Sequence, residues 1–325
     1  MNKKRLSASI VIFALLLSGC SGKGPESISD TSAAVTTETS ETVETSTVTE
    51  TTTSETTRKI EPMKFNPHVH TDLMSEVVTE DMWESFYNLI DALRKGEDTF
   101  ACSSEQAYAW CFYGNSLNVL YPPANLVVNG TGYEDGVGKI KYEIGKEEYL
   151  KRDKAFEAEI VKIMNEAVRS DYSDFEKIMS LYDYMCKNWV YDYEDINGQD
   201  YDDFGSYACL MKRNGICVEV AYAFTYLLLQ AGVEATPFGT EGEHDWSYVK
   251  LGGKGYHVDP TWGLHGESPD TGLNLEYFMM TEEERSDDGL QSKYQAEMLW
   301  MWKEDYDIKR FAATDETFKP LKDGG

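Results

Sequence analysis

In the second half of the 325-residue chain, a cysteine, a histidine and an aspartate follow one another at places where side chains can do chemistry. Cys217 opens the apolar run CVEVAYAFTYLLLQAG, His244 opens HDWSYVKL, and Asp259 follows GYHV. A packing cysteine would sit as well in the middle of such a run. At the first turn of a helix, unpaired backbone N–H groups and the positive end of the dipole stabilise a thiolate. Gly215 leaves the backbone room for a substrate carbonyl to approach. Taken alone, Cys217 reads equally as a buried structural thiol. With an imidazole and a carboxylate following, the set matches nucleophilic acyl transfer, in which the base takes the thiol proton and the acid orients the base.

The elements that must position these residues are legible in outline. Asn214 to Gly232 is apolar nearly all round, so a buried helix is expected, closed by Gly232. Three strands follow, EATPFGT, HDWSYVKL and GYHVDPTW, the last two joined by the turn signal GGKG. That turn brings His244 and Asp259 to the same end of one hairpin, although strand register is not readable from spacing. Upstream, apolar periodicity predicts helices over 72–95, 103–112, 147–168 and 174–189. NGTGYEDGVGKIKYEIG predicts a hairpin. One long helix before an antiparallel sheet is α+β architecture.

GICVEVAYAF, HDWSYV and YHVDPTWG resemble the three motifs of the transglutaminase-like superfamily, which shares its core with papain-type cysteine proteases. YDYMCKNWVYDY upstream and NLEYFMMTEEE downstream resemble the family's flanking segments, so the resemblance covers about 175–284. It implies a papain/transglutaminase-like core in which a nucleophile helix packs on an antiparallel sheet. It also implies Cys217 as nucleophile, His244 as general base and acid, and Asp259 as orienting carboxylate. The implied reaction passes through a thioester on a protein or peptide amide, needs no cofactor, and ends in hydrolysis or crosslinking. Where many relatives carry a Gly-Tyr pair after the cysteine, this chain has Val218 and Glu219, and an acid there is expected to raise the thiol pKa. The alternative function is a binding or assembly module that keeps the fold without the chemistry.

Other residues invite functional readings that compete with plainer ones. Trp246 and Trp262 are expected to wall the substrate cleft or to fill core. His257, two residues before Asp259, is expected to face elsewhere. His68 and His70 resemble a metal pair, but no third ligand follows at suitable spacing. Asp192 to Gly205 is an acidic loop, and an EF-hand alignment on Gly198 puts Tyr193 and Phe204 at ligand positions, so it fails. No metal site is therefore expected, and that acidity would favour basic substrates. Cys209 reads as core or a disulfide partner, and Cys102 and Cys111 as a second candidate bridge. Five cysteines after Cys20 is an odd number, so at least one thiol stays unbridged.

The chain's first part bounds its setting. MNKKRLSASIVIFALLLSGC has a basic start, a short apolar core and small residues before Cys20, which reads as residues 1–20 of a bacterial lipoprotein signal with Cys20 lipidated. Residues 21–60, almost all Thr, Ser, Glu, Val and Ala, read as a disordered stalk. A mainly helical region is then expected over 61–169, and the transglutaminase-like domain over 170–325. The expected location is the extracellular face of a bacterial membrane, held by the lipid at Cys20. A formal charge of -27 makes nucleic acid and anionic lipid poor partners.

Overall fold

Residues 60–112, 115–193, 204–240, 244–264, 274–285, 294–296, 311 and 313–314 are described by a computed structural model. The expected signal, nearly all of the expected stalk and most of the acidic loop lie outside them. The first half contains α1 (Glu80–Lys95), β1 (Thr99–Ala101), α2 (Glu105–Phe112), α3 (Ser116–Leu120), β2 (Val128–Glu134), β3 (Val137–Tyr142) and α4 (Lys146–Ala167). The second half opens with α5 (Asp174–Asn188), β4 (Val190–Tyr191), α6 (Gly205–Lys212), β5 (Asn214–Gly215) and α7 (Cys217–Gln230). The chain then forms β6 (Ala235–Thr240), β7 (His244–Leu251), β8 (Lys254–Val258), α8 (Pro260–Gly263), α9 (Glu282–Arg285) and β9 (Tyr294–Ala296). Helices and antiparallel sheets are mixed, as the α+β expectation required.

Local chemistry explains most boundaries. Ser173 caps α5 by accepting from Glu176 N, while the Glu176 carboxylate accepts from Ser173 N at 2.7 Å, a reciprocal capping box. At the other end of the central helix, Gly232 takes a left-handed φ of 74° and Val233 N donates to Leu228 O, so α7 stops where expected. The helix expected over 72–95 is instead broken. Thr71 caps a single 3-10 turn at Asp72–Met74, and α1 restarts at Glu80. The cause is tertiary: the Glu234 carboxylate accepts from Thr71 Oγ1 at 2.8 Å and from Asp72 N at 2.9 Å, which ties this turn to the end of α7.

Two sheets matter. In the first half β1, β3 and β2 form a three-stranded antiparallel sheet whose hairpin turns at Asp135-Gly136, both at positive φ. In the second half the order is β8-β7-β6-β9, all antiparallel. The β7–β8 hairpin turns at Gly252 and Gly253, with φ of 58° and 82°, as GGKG promised. The helix α7 packs on β6 and β7, and is anchored there by Ser247 Oγ donating to Ala221 O at 3.1 Å and lying 2.9 Å from Thr225 Oγ1. One continuous hydrophobic core contains residues of both halves, from Val69 and Trp83 to Tyr226 and Val258.

Candidate active site

Chain direction brings the first turn of α7 and the first residue of β7 to one end of the domain. The 14-residue helix is about 21 Å long and the six-residue β6 about 20 Å. Only residues 231–234 join them, so β6 runs back along α7 and ends at Thr240, level with the helix start. Thr240 is paired with His244. Cys217 and His244 therefore sit at the same end, the thiol on the helix and the imidazole on the strand.

Strand register supplies what spacing left open. Ser247 pairs with Val258, so Asp259, one residue on, shares a sheet face with His244. Their side chains meet: His244 Nε2 lies 2.7 Å from Asp259 Oδ2. A carboxylate only accepts, so Nε2 carries the proton in this contact. Asp259 is wholly buried, and its oxygens have separate duties, for Oδ1 accepts from Trp262 N at 3.3 Å and caps α8. Burial alone would raise its pKa. The charge and hydrogen bond of His244 outweigh that, helped by the Arg285 charge and the Trp262 N–H, and the carboxyl titrates below its usual range.

Among the five described cysteines, exposure separates one from the rest. Cys102, Cys111, Cys186 and Cys209 are buried, whereas Cys217 is partly exposed. None of the five is in a disulfide, so neither candidate bridge forms. Burial pushes Cys186 up to about 12 and Cys111 and Cys209 well above the ordinary thiol value. Those three are poor nucleophiles at neutral pH. Cys217 is the first residue of α7, where the backbone N–H groups have no carbonyl one turn back to bond, so they can face a developing oxyanion.

Glu219 has a structural part at the start of the helix. Its carboxylate turns back and accepts from Ile216 N at 3.0 Å and from Gly205 N at 2.6 Å. It thus caps the N-terminus of α7 and pins the start of α6 beside it; Ile216 has no side-chain acceptor to complete a capping box. A Cβ on Gly215 would lie 2.9 Å from Glu219 Oε2 and 3.1 Å from Cys209 Sγ, so the glycine is required by close packing.

The two tryptophans differ. Trp262 is 49% exposed and stacks on His244 with ring centroids 4.9 Å apart, so it walls the site. Trp246 is fully buried and offers no surface to a substrate, so of its two expected places it takes the core and not the cleft. Its Nε1 donates to His257 Nδ1 at 2.9 Å, and His257 Nε2 lies 3.1 Å from Glu282 Oε2. His257 shares the face of Asp259, contrary to expectation, because residues two apart on a strand point the same way. Both its nitrogens are occupied by that buried chain of bonds. His68 and His70 are likewise engaged, His68 with Asp91 at 3.0 Å and His70 with Tyr87 at 2.8 Å and Asp72 at 3.2 Å. Among the described residues no group of three or more His, Cys, Asp or Glu is placed to hold a metal ion.

Residues 161–260 match the transglutaminase-like superfamily, a span that takes in all three candidate residues. The chain carries a transglutaminase-like domain. Among solved structures, a candidate cysteine protease from Cytophaga hutchinsonii is 19% identical over 27% of this chain and 31% of its own, with a TM-score of 0.24. A structure described as a TGase is 17% identical over 47% of this chain and 50% of its own, with a TM-score of 0.29. The chain thus spans half or less of those structures. No curated protein matches it.

Sequence reasoning missed two residues that touch the His244–Asp259 pair. Arg285 NH2 lies 3.9 Å from Asp259 Oδ2, and Tyr277 accepts from Asp259 N through its carbonyl at 2.9 Å. NLEYFMMTEEE attracted notice as a flanking resemblance, but no spacing rule points from it to the site. The bridge between His257 and Met280 places this segment beside the pair.

Proposed function

We propose that the transglutaminase-like domain is a cysteine-dependent acyl-transfer catalyst acting on protein or cell-wall peptide amides. Cys217 gives its proton to His244 Nδ1, and the thiolate attacks the amide carbon. The oxyanion faces the N–H groups at the start of α7. It collapses as the C–N bond breaks, and His244 returns the proton to the departing ammonia or amine. Water, deprotonated by His244, resolves the thioester to an acid; a lysine amine resolves it to a crosslink. The observation that carries this reading is the 2.7 Å contact of His244 Nε2 with the buried Asp259, at the end of the sheet level with Cys217. Stacking of Trp262 on the imidazole supports it, since the pair is shielded on one side and the ring orientation is held. The signal-like start and the Thr/Ser/Glu-rich stretch support a setting on the outer face of a bacterial membrane, anchored at Cys20. Strong negative charge supports a protein partner over nucleic acid.

The test is alkylation of residues 60–325 over a range of pH, with the labelled cysteine located by mass spectrometry. Cys217 should label selectively and well below pH 8, the range of an ordinary thiol. His244→Ala should move labelling to the pH of an unassisted thiol. Labelling of Cys217 no faster than a free model thiol would remove the catalytic reading.

A further inference from the structure

The residues behind Asp259 form a built frame rather than a loose strap. Thr281 N donates to Glu284 Oε2 at 2.8 Å and Glu284 N donates to Thr281 Oγ1 at 3.2 Å, a capping box that fixes the single turn of α9. Glu282 Oε2 lies 3.1 Å from His257 Nε2 and accepts from Ala313 N at 2.8 Å. The last residue of the turn, Arg285, is 5% exposed. Its guanidinium carbon sits 3.8 Å over the Trp246 ring and 5.1 Å from the Trp262 ring, and NH2 faces Asp259 Oδ2 at 3.9 Å. Trp246 is held in turn by His257. Thr281, Glu282 and Glu284 thus each help to place this cation.

We propose that Arg285 is a positioning residue for the His244–Asp259 pair: its guanidinium, laid over Trp246 and beside Trp262, faces the carboxylate oxygen that holds His244 and governs how tightly the imidazole keeps its proton. A planar guanidinium suits the task, because it stacks on an indole and stays charged at any working pH. A lone buried carboxylate would stabilise the imidazolium strongly. A fixed cation on the same oxygen offsets part of that field, so His244 releases its proton more readily to the leaving amine.

Other groups near the pair do not supply such a charge. From α5, Tyr182 and Cys186 face Asp259, and burial raises both, so both are neutral. Tyr277, from the segment before α9, is raised in the same way. His257, from β8, is lowered by burial and neutral, with Glu282 beyond it. Among these described neighbours Arg285 is the permanent cation.

The inference rests on the proposed roles of Cys217, His244 and Asp259, and the test separates the two. Alkylation of Cys217 is followed against pH in the wild type and in Arg285→Met, Arg285→Gln and Arg285→Lys, each checked for its melting temperature. In the wild type, reactivity should change at low pH as the thiol ionises and again at higher pH as the imidazolium deprotonates. In the neutral variants the upper step should move to higher pH by on the order of one unit. Arg285→Lys keeps the charge but not the stacked plane, so its upper step should stay near the wild-type pH while the rate falls several-fold. A merely structural role would lower the melting temperature without moving that step upward. Steps that superimpose in the wild type and the neutral variants overturn the Arg285 assignment alone. A wild-type Cys217 with no activated thiolate overturns the reading of the site itself. Should neither neutral variant fold, Arg285→Lys decides: wild-type reactivity in it would show that the clamped guanidinium is not needed.

Discussion

Two histidines on one sheet face are held by different partners. His244 gives one nitrogen to Asp259 at the mouth of the site, whereas His257 is enclosed and spends both on Trp246 and Glu282. Nδ1 of His257 accepts from an indole that can only donate, so the folded protein holds the neutral ring. Burial accordingly pushes its pKa below the usual histidine value. The sign follows from linkage. Just below pH 6.5 the unfolded chain takes up a proton that the folded one refuses, so stability is full above that pH and declines as pH falls. The slope is at most about 1.4 kcal/mol per pH unit, until the folded group itself titrates. His257→Gln can accept from Trp246 and donate to Glu282 without titrating. Urea midpoints of wild type and this variant between pH 7 and 5 should diverge, the wild type losing more. Equal losses would mean that His257 does not carry the dependence. Asp259, held below the carboxylate range, contributes above its unfolded value and loses that contribution only at more acid pH. At this scale the meeting of His244 with Asp259 was legible, since the turn signal GGKG between them puts both at one end of a hairpin. Arg285 was not, because a contact across the fold leaves no mark on local spacing, and the sequence did not decide between cleft and core for Trp246 for the same reason.

Among the elements, those governed by neighbouring residues were readable and those governed by distant ones were not. Asp135-Gly136 and Gly252-Gly253 announce their hairpins through backbone that must take positive φ. Ser173 and Gly232 mark helix ends through local hydrogen bonds. The break before α1 depends on Glu234, more than 160 residues later, and so was missed. So was α6, whose start is set by Glu219 and by Asn118, which accepts from Ser206 N at 2.9 Å. The junction of β5 with α7 is where these long-range ties bear on chemistry. Val190 and Tyr191 pair in parallel with Asn214 and Gly215, and Glu219 fixes the next residue. Gly215→Ala would force Glu219 or Cys209 aside by a few tenths of an ångström and loosen the cap on the first turn. The expected cost is about 1–3 kcal/mol of stability. A nucleophile displaced even slightly loses rate, so Cys217 alkylation should slow roughly ten- to a hundredfold. Unchanged labelling with an unchanged melting temperature would show that the junction tolerates a methyl group and that Glu219 is not its keystone.

Across the whole molecule, the helix that carries Cys217 explains why the first half exists. It is buried on every side because different stripes of it serve different halves. Ala221 and Thr225 meet Ser247 on the sheet. Tyr222, Tyr226 and Gln230, each four residues apart, meet the first half. Asn115 Nδ2 donates to Tyr222 Oη at 2.7 Å, Phe156 packs on Tyr226 with ring centroids 5.5 Å apart, and Gln230 exchanges hydrogen bonds with the backbone of Asn66. Arg213, at the end of α6, adds an ion pair to Glu159 of α4 at 2.9 Å. A boundary at residue 169 read from sequence therefore cuts through a shared core, since the covered face of α7 is largely aromatic and its hydrogen-bond partners lie in the first half. Exposing Tyr222 and Tyr226 would forfeit on the order of 4 kcal/mol, close to the whole stability of a marginal domain. Residues 170–325 expressed alone should show no cooperative urea transition and little near-ultraviolet circular dichroism, whereas 60–325 should show both. A cooperative transition from the shorter chain would mean that the sheet side suffices and that the first half is an appendage. If the longer chain alone folds, any function assigned to Cys217 belongs to both halves, because the helix holding the thiol is a strut between them.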